Sequence, residues 1–255
     1  MGARLRPLPA APALALAAVL AACSAQTPMP VAFPRLVTQP YYEPILVDWA
    51  VAYRQDLPGP LPFDLDTRTQ EEGLDRVETG EADLLVTSGE PPRGWFATPL
   101  GRQGLAVVVH PDNPVRDLSI EELRDLFSGI NGLWEEVGGR PTPVQPVLPL
   151  PGEPLGEAFA SLVLGERAPW PGTQLAPTAA AMTQLIAEDE GAIGLLPMAA
   201  VPETLRVVRV EGVLPGETTI ASGSYPLTVS LLATAPEEPV GPLRDFLVWI
   251  QSGFG

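Results

Sequence analysis

Few residues in this 255-residue chain could do chemistry, and their types narrow what that chemistry is. There is one cysteine, Cys23, one histidine, His110, and fifteen basic residues, all of them arginine. Without lysine the chain has no Schiff-base nucleophile and no lysine to reach a nucleotide phosphate. One histidine and one cysteine cannot assemble an ordinary zinc site. No Gly-x-Ser-x-Gly elbow occurs, so no serine nucleophile is announced. Acids are plentiful, as in Glu188, Asp189 and Glu190, but no spacing points to a converging glycosidase pair. The expectation is a protein that is not an enzyme and uses no metal or cofactor. What remains is hydrogen bonding and charge at three loop positions. Thr38, Gln39 and Tyr41 form one group, Ser88 and Gly89 a second, and Gly152 and Glu153 a third. Such residues hold a small ligand and do not transform it.

The elements that must position these loops follow from periodicity. Residues 31–38 predict a strand and Pro44–Tyr53 a helix, with Ile45, Trp49 and Ala52 inward. Phe63–Asp66 predicts a strand, Thr69–Thr79 a polar helix and Ala82–Thr87 a buried strand. This β-α-β-α-β order is that of a parallel sheet covered by helices. The β-branched run Leu105–Val109 predicts a strand that stops at His110-Pro111-Asp112-Asn113-Pro114. Ser119 and Glu122 form a capping box, with Ile120, Leu123, Leu126 and Phe127 on one face and Gly129 as the stop. Further segments are a strand near Val144–Leu148, helices Pro154–Leu164 and Thr178–Glu188, and strands at Gly191–Leu195, Leu205–Val210 and Thr228–Thr234. Helix Val240–Gln251 closes the chain. In open α/β sheets a ligand lies beyond the carboxyl ends of strands. That rule selects the three loops above and a fourth position, Ser222–Tyr225.

The N-terminus carries a different signal. Arg4 and Arg6 precede an alanine-rich apolar run that ends Leu20-Ala21-Ala22-Cys23. This order predicts a signal peptide over residues 1–22 and lipidation of Cys23, with a tether over 23–30. An uncleaved anchor, or a plain secretory signal with an incidental cysteine, is the alternative. Removal of residues 1–22 leaves 13 arginines against 31 acids, a charge of −18. That surface repels nucleic acid.

The wording of Gly104–Gly139, a hydrophobic strand with His-Pro-x-Asn-Pro, a helix ending Phe-Ser-Gly, a tryptophan and Val-Gly-Gly, resembles the phosphate-binding proteins of ABC importers. These are type II periplasmic binding proteins. Gly191-Ala192-Ile193-Gly194-Leu195 and Tyr225-Pro226-Leu227 extend the likeness across nearly all of residues 31–255. It implies a two-lobed α/β fold with discontinuous lobes joined by two crossing strands: residues 31–103 and 226–255 in one lobe, 104–225 in the other. It further implies a monomeric extracytoplasmic lipoprotein that captures a small ligand, an oxyanion by family, and delivers it to ABC permease subunits.

The site loops depart from that pattern. Aligned on Pro44, Thr38-Gln39-Pro40-Tyr41-Tyr42 stands where relatives carry a Gly-Ser-Thr-Thr-like loop. Aligned on Phe159, Glu153-Pro154-Leu155-Gly156 replaces a Ser-Gly-Thr-Arg-like stretch. A carboxylate there repels an oxyanion, and Pro154 removes an N–H donor. Glu153 could instead be a solvated carboxylate at a helix start. Two other functions therefore stay open: a degenerate binding fold used as a sensing, assembly or interaction module, and capture of a neutral or cationic organic solute.

Overall fold

A computed structural model of the chain describes residues 33–56 and 63–253, together with Gly2. The expected signal segment, Cys23 and its tether lie outside the described residues.

The first half of the fold begins with β1 (Arg35–Thr38), α1 (Glu43–Asp56), β2 (Asp64–Thr67), α2 (Gln70–Glu78) and β3 (Leu84–Thr87). β1 lies between β2 and β3, parallel to both, so the predicted β-α-β-α-β order gives the parallel sheet it should. α1 buries Ile45, Leu46, Ala50 and Tyr53. The helix is thus rotated from the expected Ile45-Trp49-Ala52 face, because Tyr53 packs edge-on against Phe246 and Trp249 of the C-terminal helix.

β4 (Phe96–Val109) then runs fourteen residues without a break. It is followed by β5 (Asp117–Leu118), α3 (Ile120–Ser128), β6 (Gln145–Pro149), α4 (Pro154–Phe159), β7 (Gln174–Ala176) and α5 (Ala179–Glu188). The rest comprises β8 (Ala192–Pro197), β9 (Arg206–Val210), α6 (Glu217–Ala221), β10 (Thr228–Ala235) and α7 (Pro242–Gly253). β5, β7 and α6 were not expected. Each has five residues or fewer, too short to show a period. The helix expected over Pro154–Leu164 ends as α4 and continues as a π-helical turn, Ala160–Leu164.

β4 belongs to both halves of the molecule. Its first part pairs antiparallel with β10, up to Gly104 opposite Thr228. From Leu105 onward it pairs antiparallel with β8 and β9. The strand order β2-β1-β3-β10-β4-β8-β6-β7 therefore passes through β4. The return of the chain is tied to the same point. Leu105 donates its N–H to the Leu227 carbonyl at 2.8 Å, and the Tyr225 hydroxyl donates to the Leu105 carbonyl at 2.8 Å. Two adjacent crossings join two α/β lobes.

Leu105–Val109 is fully buried, as a strand covered on both faces requires. α3 starts on the predicted capping box: Ser119 N–H donates to Glu122 Oε2 at 2.7 Å and Glu122 N–H to Ser119 Oγ at 3.2 Å. It ends at Gly129, whose φ of 76° is the left-handed geometry that glycine supplies. Trp134 is buried and donates its Nε1–H to the Gly191 carbonyl at 2.9 Å, fixing the loop after α3 to the start of β8.

Candidate functional site

The loops at the carboxyl ends of β1 and β3 are bonded to one another, at the kind of position where open α/β sheets hold ligands. Thr38 ends β1 and spends its hydroxyl hydrogen on the Val86 carbonyl at 2.9 Å, stitching β1 to β3. The next residues turn at once, with Tyr42 N–H donating to the Gln39 carbonyl at 2.9 Å before α1 begins. That turn drives Tyr41 and Tyr42 inward, and both are fully buried.

Gln70, the first residue of α2, organises the second loop. Its Oε1 accepts from Gln39 Nε2 at 2.9 Å and from the Thr87 hydroxyl at 2.7 Å. Thr87 Oγ1 in turn accepts from Gly89 N–H at 2.8 Å. A Cβ on Gly89 would lie 2.8 Å from Gln70 Nε2, so any larger residue there would displace Gln70. The Tyr42 hydroxyl donates to Ser88 Oγ at 2.6 Å.

The third loop leaves β6 and turns through Gly152, whose φ is 84°. Glu153 N–H closes that turn on the Leu150 carbonyl at 3.1 Å. Glu153 does not reach solvent: the residue is 3% exposed. Its Oε2 is buried and has no hydrogen-bond partner among the described residues, and the same holds for Oε1 of Gln39. Burial, and then the charge of Glu157, pushes the Glu153 carboxyl up to about 7. Burial raises the Tyr41 and Tyr42 hydroxyls; the Ser88 hydrogen bond opposes this at Tyr42, and the Glu153 charge adds a smaller upward push to both.

A direct bond also spans the lobes. The Tyr41 hydroxyl donates to the carbonyl of Ala176, at the end of β7, at 2.6 Å. Hydrogen bonds thus link the loops that carry Thr38, Gln39, Ser88 and Gly89, and Tyr41 reaches the end of β7, while Gly152 and Glu153 make no hydrogen bond to that group among the described residues. Tyr42, Gln70, Thr87 and Ala176 belong there too. Gln70 was legible as the first residue after a helix cap, which turns its side chain toward the strand ends; Ala176 left no signal. The fourth expected position stands apart in function, since Ser222 and Ser224 bond to each other and to the Thr219 carbonyl.

The balance of donors and acceptors is one-sided. The hydroxyl hydrogens of Thr38, Tyr41, Tyr42 and Thr87 are all committed within the protein, while two buried acceptors lack donors. No arginine bonds to any of these side chains among the described residues. There is also no group of three His, Cys, Asp or Glu residues that could hold a metal among the described residues.

This fold, two α/β lobes joined by two crossing strands, is that of a periplasmic binding protein. A family model described as a PBP superfamily domain matches residues 34–253, and the chain belongs to that superfamily. It is 27% identical to the phosphate-binding protein PstS of Bacillus subtilis (strain 168) over 179 residues, 69% of this chain and 59% of that protein. The chain therefore spans less than two thirds of that relative's length. In structure it resembles a phosphate ABC-transporter substrate-binding protein of Clostridium perfringens solved with bound phosphate. The TM-score is 0.79 and the identity 22%, covering 86% of this chain and 93% of that one. An ABC-type phosphate transport receptor from Vibrio cholerae matches with a TM-score of 0.67 and 21% identity, covering 86% and 94%. These likenesses establish the two-lobed fold.

Proposed function

We propose that the protein is a non-enzymatic, extracytoplasmic solute-binding protein that captures a small ligand between its lobes and serves an ABC importer. The lobes would be residues 31–103 with 226–255, and residues 104–225. Lipidation of Cys23 would hold it at the outer face of a membrane, with permease subunits as partners. The observation that supports this reading is the bond between Tyr41 and Ala176, which we read as a tie between the two lobes across the site. Closure around a ligand is what a binding protein presents to its transporter.

The names of the relatives favour phosphate. The geometry opposes it. Phosphate is rich in acceptors and needs converging donors, whereas the hydroxyls of Thr38, Tyr41, Tyr42 and Thr87 are committed and two buried acceptors, Gln39 Oε1 and Glu153 Oε2, are unsatisfied. Among the expected contacts, Ser88 alone keeps a hydroxyl hydrogen that no protein acceptor is seen to take. The ligand class that fits is a donor-rich or cationic solute.

Tyr41→Phe tests the closure. Loss of the bond leaves the Ala176 carbonyl buried without its donor, at a cost of roughly 1–3 kcal/mol. The variant is expected to scatter X-rays with a larger radius of gyration, and a panel of organic solutes should raise the melting temperature of the parent protein. An unchanged radius and no stabilising solute would favour an interaction module without a ligand.

A further inference from the structure

Behind Glu153, and lined by the second lobe alone, lies a cavity of about 470 Å³. Its walls are apolar, with Leu148, Leu150, Leu164, Trp170 and Leu175. Leu150, Trp170 and Leu175 are partly exposed, so the cavity opens to the surface, and Trp170 forms its outer wall. Its N–H donates to the Phe127 carbonyl at 2.8 Å, and its indole lies where a Cβ on Gly129 or Gly172 would come within 2.5 Å or 2.3 Å of it. Those two glycines make the room the ring occupies.

Three polar side chains line the same cavity: Glu153, Glu157 and Thr173. Glu153 Oε2 and Thr173 Oγ1 are buried, and neither has a hydrogen-bond partner among the described residues. No arginine pairs with either glutamate among those residues. A buried carboxylate oxygen left without a donor is costly unless a cation or donor meets it. An aromatic wall beside acidic groups suits a cation carried on an apolar body.

We propose that this cavity binds a small organic cation, a primary ammonium on an apolar body, with Glu153 and Glu157 as its anionic partners, Thr173 as an acceptor and Trp170 as its aromatic wall. The proposal rests on the solute-binding reading and adds to it a site within the second lobe, distinct from the one between the lobes. Neither glutamate touches an arginine that a ligand would have to displace, so the head group enters without breaking an ion pair.

Calorimetric titration of the full chain with benzylamine, and with uncharged benzyl alcohol of nearly the same shape, tests the site. Benzylamine is expected to bind at least about tenfold more tightly than the alcohol. Glu153→Gln should weaken benzylamine by about tenfold and leave the alcohol unchanged. Equal binding of the two probes, or an unchanged benzylamine affinity in a folded Glu153→Gln protein, would overturn the proposal. Silence toward benzylamine overturns it as well. If other organic solutes still stabilise the chain, solute capture survives that result; if none does, both readings fall together.

Discussion

Glu153 concentrates the electrostatics of this molecule. Its carboxylate is buried, feels the charge of Glu157, and pairs with no arginine among the described residues. A carboxyl pushed from its ordinary 4.5 up to about 7 binds a proton in the folded state that the unfolded chain has already released. Stability from this group is complete below about pH 4.5, falls as pH rises, and is lost above 7. At about 1.4 kcal/mol per unit, the difference is about 3 kcal/mol. Melting curves of the ligand-free protein should therefore fall between pH 5 and pH 8. Glu153→Gln, which keeps the shape and removes the charge, should flatten that slope and raise the melting temperature at pH 8. An identical slope in the variant would show that the carboxylate is not in the site the geometry gives it. Sequence reasoning placed Glu153 at a helix start but offered solvation as the bland outcome. Burial there depends on the packing of the whole lobe, which no local signal carries.

At the scale of elements, the local rules held where one segment supplies its own signal. The Ser119–Glu122 box, the Gly129 stop and the buried run Leu105–Val109 all stand where residue types put them. Ser119→Ala removes the acceptor for Glu122 N–H and should cost about 1 kcal/mol in denaturant unfolding, with no change in ligand response. A cost near zero would mean that α3 is held by its packing alone, and a changed ligand response would couple the helix to the site. The rotation of α1 shows where local reading stops. Periodicity gave the helix, while its buried face was set by α7, whose Phe246 and Trp249 meet Tyr53. β7 is the sharper case. Its three residues carry no period, yet its last carbonyl receives the bond that joins the lobes.

For the whole molecule, scaffold and site have diverged. The strand that passes from one lobe to the other, the paired crossing at Leu105 and Leu227, and the PBP-superfamily match describe a binding protein. The surface adds nothing that would attract an anion from afar, since the chain carries a formal charge of −16. The site itself holds committed hydroxyls, unsatisfied acceptors and a buried acid where an oxyanion would need donors. The frame was legible because strand, cap and turn signals are local. The ligand chemistry we propose was legible only as a departure, through Glu153 and the tyrosines, and its balance of donors and acceptors needed the hydrogen bonds. Isothermal titration with inorganic phosphate at pH 7.5 tests the account most directly. No binding is expected up to about 1 mM, weaker than roughly −4 kcal/mol. Micromolar phosphate affinity that is lost in Ser88→Ala would contradict it.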